Sequence, residues 1–238
     1  LTMEDVDAAI HHQPKAVIVN SGNNPTGAIY DQDVLAYLVE RCTEHGCWLL
    51  NDETYLKLNY EKDSFSLLEC TYPKLLTISS FSKIFGIPAF RVGYAVGAPA
   101  VIEKVILSSS TLYSCLPMFS QIGICNGLDA MDCYLNQISN YYRDFARECV
   151  ELLAGFENVS CPVPDSGFYL FIDVQQTGLD SSQFSEQLLE KRHTATTPGD
   201  VFGYKGFVRA SICGEANDVR EGLRRLGEFS SQITQGEL

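Results

Sequence analysis

Four short apolar runs, each ending abruptly in polar residues, constrain this chain more than any other feature. They are Ala16-Val-Ile-Val-Asn20, Cys47-Trp-Leu-Leu50, Leu75-Leu-Thr-Ile78 and Val92-Gly-Tyr-Ala-Val96. Strands that are apolar on both sides belong inside a sheet covered on both faces. Helical spacing fills the gaps. Residues 1–10 read as a helix with Thr2 as N-cap and Asp5 at the third helical position. A second helix, roughly 31–45, carries Val34, Leu35, Leu38, Val39 and Cys42 on one stripe and stops at Gly46. A third runs from about 99 to 108. Such alternation predicts an α/β fold with a parallel or mostly parallel sheet.

The texture changes along the chain. A long, mostly helical stretch, about 118–154, carries Tyr141, Tyr142, Phe145 and Val150. Beyond a proline-bearing segment at 161–164 come a strand at 168–172, a helix at 181–191, a strand at 206–211 and a final helix from about 215 to 230. The expected organisation is a larger unit over 1–117, a helical connection over 118–154 and a small α+β unit over 155–238.

The balance of 17 basic against 30 acidic residues leaves a net charge of −13. An acidic surface repels phosphate backbones and anionic lipids, which argues against nucleic acid or membrane as partner. Any anion site must then be built locally from a few arginines and backbone amides. Nine cysteines form no Cys-x-x-Cys pair of metal-binding spacing, so no metal is expected. Most sit beside apolar residues, where the expected state is a buried free thiol in a reducing, cytoplasmic compartment. No signal peptide or apolar run long enough to span a bilayer is visible. The chain opens without Met and reads as starting inside a domain, so a natural N-terminal part is expected to be missing.

The polar residues cluster just past the strand ends, the edge at which open α/β sheets bind ligands. Lys83 closes a polar loop, Ser79-Ser-Phe-Ser-Lys83, with Ser80 three residues before it and Arg91 eight after. A lysine there is by itself an ordinary surface residue. A hydroxyl, a guanidinium and an amine at one sheet edge can together hold a phosphate and a carbonyl. Asp52, at the end of the second run, reads either as a turn residue or N-cap, or as a buried carboxylate pairing with a protonated ring nitrogen. Tyr55 is a core aromatic or a hydroxyl reaching the same place. Asn23-Asn-Pro-Thr-Gly27 has the composition of a plain turn.

In that order and spacing, Asn-Asn-Pro-Thr-Gly, Asp-Glu-Thr-Tyr, Ser-Phe-Ser-Lys with Arg eight beyond, and the late Phe-Val-Arg-Ala-Ser resemble the class I/II aminotransferases of pyridoxal-phosphate fold type I. The flavour is nearest to histidinol-phosphate aminotransferases and their relatives. The resemblance covers essentially the whole chain. It implies a mostly parallel large-domain sheet, here incomplete, plus a small C-terminal α+β domain. It also implies pyridoxal 5′-phosphate as cofactor, held by Lys83 through a Schiff base, with Lys83 then moving the proton between the substrate Cα and the cofactor. Asp52 is implied as partner of the pyridine nitrogen, Asn24 and Tyr55 as partners of the cofactor's ring oxygen, and Ser80 and Arg91 as phosphate ligands. Arg209, otherwise an exposed strand residue, is implied to fork onto the substrate α-carboxylate, with Asn24 beside it.

The implied activity is transamination between an L-amino acid or related amine and a 2-oxo acid, in a homodimer. Decarboxylation or cyclisation on the same scaffold, or a catalytically silent fragment, are the alternatives. Family members have well over a hundred further residues before the Asn-Pro-Thr-Gly loop. Those include a turn that cups the phosphate and an aromatic residue stacked on the ring. The sheet here is accordingly expected to have exposed edges.

Overall fold

The computed structural model describes residues 1–236. Two compact units emerge, one formed by Leu1–Gly22 and Ile29–Ile138, the other by Asn23–Ala28 and the chain from Ser139 onward.

In the first unit, β1 (Ala16–Asn20), β2 (Trp48–Asp52), β3 (Leu75–Ser80) and β4 (Gly93–Gly97) lie side by side in that order. The first three are parallel and β4 is antiparallel to β3. The mostly parallel reading therefore holds. Helix α1 (Met3–His11) starts as the sequence predicts. The Thr2 hydroxyl accepts from the Asp5 amide, and the Asp5 carboxylate accepts from the Thr2 amide. Helix α2 (Gln32–His45) ends at Gly46, whose φ of 64° is the left-handed cap that glycine adopts without steric cost.

Both helices pack on one face of the sheet. Val6 and Ile10 of α1 and Leu35, Leu38 and Cys42 of α2 close on Val19, Leu49 and Leu75 of the strands. Truncating one such buried leucine costs about 2–5 kcal/mol. The other face departs from the double coverage that the apolar strands predict. Ile18 is 75% exposed there, and Trp48 and Ile78 are exposed too. The reason lies in the connections: α1 and α2 share a face, where Tyr37 and Arg41 of α2 both donate to Asp7 of α1. The chain between β2 and β3 forms only short 3-10 turns.

After the four-residue α3 (Phe81–Ile84) and β4 come α4 (Pro99–Tyr113) and α5 (Met118–Gly127), and then α6 (Met131–Leu153) runs from the first unit into the second. In the second unit, β5 (Tyr169–Asp173), β6 (Thr197–Pro198) and β7 (Phe207–Ser211) form an antiparallel sheet in the order β5-β7-β6. One of its faces packs on α7 (Ser181–Arg192) and α8 (Ala216–Gln235). Leu170, Ile172 and Val208 of the sheet are fully buried, as are Phe184, Leu188, Leu226 and Phe229 of the two helices. The Phe184 and Phe229 rings meet edge to face at 5.3 Å. The other face presents Tyr169, Phe171, Phe207 and Arg209.

All nine cysteines are free thiols. Only Cys42, Cys47 and Cys149 are buried, and Cys115, Cys125, Cys133 and Cys213 are exposed, against the expectation that most would be interior. Cys125 follows Ile124, Cys115 precedes Leu116 and Cys133 precedes Tyr134, but all three lie on or beside α4, α5 and the start of α6, where much apolar surface faces solvent.

Candidate active site

The first group of chemistry-bearing residues gathers at the carboxyl ends of β1, β2 and β3. Register sets them level there, Asn20 opposite Asp52 and Asp52 opposite Ile78. The Asn20 amide donates to the Asp52 carbonyl at 2.9 Å. Asp52 Oδ1 accepts from the Thr54 amide at 2.9 Å and from its hydroxyl at 2.6 Å, a turn that holds the carboxylate at the strand tip. Asp52 is half-buried. The buried carboxylate is its neighbour Glu53, which accepts from Asn51 at 2.8 Å, from Ser66 at 2.8 Å and from the Leu67 amide at 3.0 Å. Pleat alternation explains the difference between the two carboxylates. Consecutive side chains point to opposite faces, so only one of an Asp-Glu pair can turn into the α1/α2 side. Glu53 ties the 66–67 loop to the strand end, a structural role that the sequence reading did not pick out.

Tyr55 is buried, and its backbone is crossed by Gly22. Gly22 has a φ of 75°, and a Cβ there would stand 2.8 Å from the Tyr55 carbonyl carbon, so this close approach requires glycine.

Lys83 is not in a loop. Ser79 and Ser80 extend β3, and the chain turns directly into α3, which contains Lys83. The Ser80 hydroxyl caps that helix by accepting from the Ser82 amide at 3.2 Å. The Phe81 ring locks the turn against Phe85 at 5.8 Å and Tyr94 at 5.5 Å. Arg91 follows a 3-10 turn over Pro88–Phe90 and adopts a left-handed φ of 55°, costly for a residue with a Cβ. Its side chain is exposed and donates to the Pro88 carbonyl at 3.0 Å.

Asn24 and Arg209 belong to the second unit, where they meet directly. The Arg209 Nη1 donates to Asn24 Oδ1 at 2.7 Å and Nη2 to the Thr197 hydroxyl at 3.2 Å. Its Cζ stands 4.4 Å from the centre of the Tyr169 ring and 5.0 Å from that of Phe202. The turn carrying Asn24 is fastened locally. Asn23 Oδ1 accepts from the Thr26 hydroxyl at 2.9 Å, and Ser166 donates to the Gly27 carbonyl at 2.9 Å. Sequence reasoning found Arg209 and Asn24 but missed Thr197, Tyr169 and Phe202. Their types carry no signal until the strand pairing is known.

The partners of Arg91 and Arg209 differ from those of most other arginines. Arg41, Arg143, Arg220, Arg224 and Arg225 each pair with a carboxylate. Among the described residues no carboxylate lies within ion-pair distance of Arg91 or Arg209, whose hydrogen-bond partners are neutral oxygens. A guanidinium held only by neutral acceptors keeps its charge available for an anion.

The model of the family described as aminotransferase class I and II matches residues 1–226. A probable aspartate/prephenate aminotransferase of Aquifex aeolicus is 32% identical over 98% of this chain and 61% of its own length. An aspartate aminotransferase of Thermotoga maritima is 30% identical over 96% of this chain and 59% of its own. A solved mutant of Thermus thermophilus aspartate aminotransferase superposes with a TM-score of 0.89 at 30% identity, covering 96% of this chain and 63% of that one. The chain thus spans about three fifths of the length of the relatives it matches. By motif order, fold and matched length, the chain belongs to the class I and II aminotransferase family, fold type I.

Proposed function

We propose that the protein is the greater part of a pyridoxal-phosphate-dependent aminotransferase, acting on an L-amino acid or related amine and a 2-oxo acid. The observation that carries this is the match of residues 1–226 to the family, and the order of residues around the carboxyl ends of the parallel strands supports it: Asp52 ends β2 with Tyr55 three beyond, Ser80 ends β3 with Lys83 three beyond, and Arg91 lies just before β4. Pyridoxal 5′-phosphate is the cofactor of this family, and the donor set fits it. Ser80 accepts from its own helix through oxygen and so keeps its O–H to donate to an anion. Arg91 has no competing carboxylate among the described residues. In this reading Ser80 and Arg91 hold the phosphate, Asp52 the ring nitrogen, and Tyr55 and Asn24 the ring oxygen. When bound, the cofactor supplies the electron sink for breaking a bond at the substrate Cα.

Lys83 carries the cofactor and moves the Cα proton. Arg209 takes the substrate α-carboxylate in its planar fork, which favours amino acids over simple amines. The aspartate and aspartate/prephenate names of the relatives support an amino-acid substrate. We also infer a homodimer, supported by the exposed apolar side chains of α4 and α5, among them Ile106, Leu107, Leu112, Met118 and Phe119. Among the described residues no helix is long and apolar enough to cross a membrane.

The direct test is amino-group transfer from 15N-labelled L-aspartate or L-arginine to 2-oxoglutarate, followed by mass spectrometry. Labelled glutamate should form with the parent chain plus cofactor, vanish with Lys83→Ala, and require at least about tenfold more amino acid with Arg209→Lys, which loses the fork. Undiminished transfer by Lys83→Ala would overturn the reading.

A further inference from the structure

We propose that Thr197 is a positioning residue for Arg209: its hydroxyl holds Nη2 while Asn24 holds Nη1, and together they fix the rotation of the guanidinium within its own plane, and so the edge it turns toward a carboxylate. This deepens the assignment of Arg209 as the carboxylate site and rests on it.

The aromatic neighbours cannot do this alone. Attraction between a guanidinium and the face of a ring depends mainly on distance and weakly on rotation in the plane of the cation. Tyr169 and Phe202 therefore hold the group in place without setting its azimuth. Hydrogen bonds are directional and do set it. Two of the five guanidinium N–H donors are engaged, one on each Nη, and the rest stay available to a ligand.

The local chain is built for the purpose. Thr197 sits directly across from Arg209 in the β6–β7 register, so the two side chains share a face as immediate neighbours. Threonine is β-branched and stiff at χ1, so its hydroxyl stays put. Pro198 ends the two-residue strand, and Gly199 brings the chain so close to its neighbour that a Cβ would stand 2.2 Å from the Tyr204 carbonyl oxygen and 2.6 Å from that of Phe207. The tight turn then delivers Phe202 to the same guanidinium. One six-residue segment, 197–202, thus supplies both a hydroxyl and a ring to Arg209.

The test reads the guanidinium itself. In 15N-arginine-labelled full chain at low temperature, hindered rotation about the Cζ–N bonds resolves the Nη hydrogens of a held guanidinium and averages those of a loose one. The Arg209 signals are identified by their loss in Arg209→Lys. They should be resolved in the parent, averaged in the near-isosteric Thr197→Val and restored in Thr197→Ser. The Kd for 2-oxoglutarate, measured by calorimetry, should rise about tenfold in Thr197→Val and recover in Thr197→Ser. Averaged signals in the parent, or resolved signals with unchanged Kd in Thr197→Val, would overturn the proposal. If Arg209→Lys binds 2-oxoglutarate as tightly as the parent, the carboxylate assignment fails instead, and the Nη signals still decide the role of Thr197.

Discussion

Burial separates the thiols of this chain into two chemical classes. Cys42 lies wholly inside the first unit, and burial, then its contact with Cys47, pushes its pKa up to about 12. Burial raises Cys149 to about 11. A thiol reacts through its thiolate, so both should resist alkylation at neutral pH. Iodoacetamide at pH 7.5 with peptide mapping should label the exposed Cys213 first and leave Cys42 and Cys149 untouched until the chain is denatured. Early labelling of Cys42 would show that α2 is not packed as described. At this scale the sequence was informative where residue type dictates chemistry. Lys83 and Arg91 stood out because an amine and a guanidinium gathered with Ser80 beside strand ends have few bland uses in combination, whereas Arg209, mid-strand in β7, was marked only by the family resemblance. It was uninformative where pairing decides. Nothing in an Asp-Glu pair says which carboxylate turns inward, and nothing in Thr197 announces an arginine across the strand.

Helix α8 carries the densest charge network. Glu221 accepts from Arg224 and from Arg225, while Arg224 also pairs with Glu228. Those hydrogen bonds, Arg224 first, hold the Glu221 carboxyl at about 2 rather than its ordinary 4.5. A depressed carboxyl stabilises the fold above its unfolded value, and that contribution is lost as pH falls through the folded value. The Tm should therefore decline between pH 4.5 and 2, and Glu221→Gln should flatten that decline while lowering Tm slightly at pH 7. An unchanged acid profile in the variant would mean that solvent screens the network fully. The longer elements were legible, because apolar runs and helical stripes of their length admit few alternatives. Element ends were less so. The Ser79–Lys83 stretch is polar and looks like a loop, yet Ser80 continues the strand and caps the helix that holds Lys83. The two-residue β6 is too short to have any pattern.

Across the whole molecule, the distribution of bare apolar surface is the chief physical fact. One face of the four-stranded sheet is packed by α1 and α2 and the other leaves Ile18 in solvent. Surface of this kind, and that of α4 and α5, is what marks a site of contact with another molecule. If a second copy covers α4 and α5, Ile106→Asp combined with Phe119→Asp should convert a dimer to a monomer in light scattering, with the far-ultraviolet circular dichroism preserved. A parent chain that is monomeric at high concentration would exclude that use of the surface. The apolar strands led to an expectation of two covered faces. The sequence shows which side chains want burial and is silent on whether these residues alone can bury them.

The most direct measurement of the central assignment is borohydride reduction of the chain with added pyridoxal 5′-phosphate, followed by peptide mapping. Near-visible absorption should appear before reduction, and the pyridoxyl group should then be found on Lys83, in the peptide that begins at Leu75 and contains β3. A pyridoxyl group on another lysine, with Lys83 unmodified, would contradict the assignment of Lys83 and with it the reading of the strand-end site.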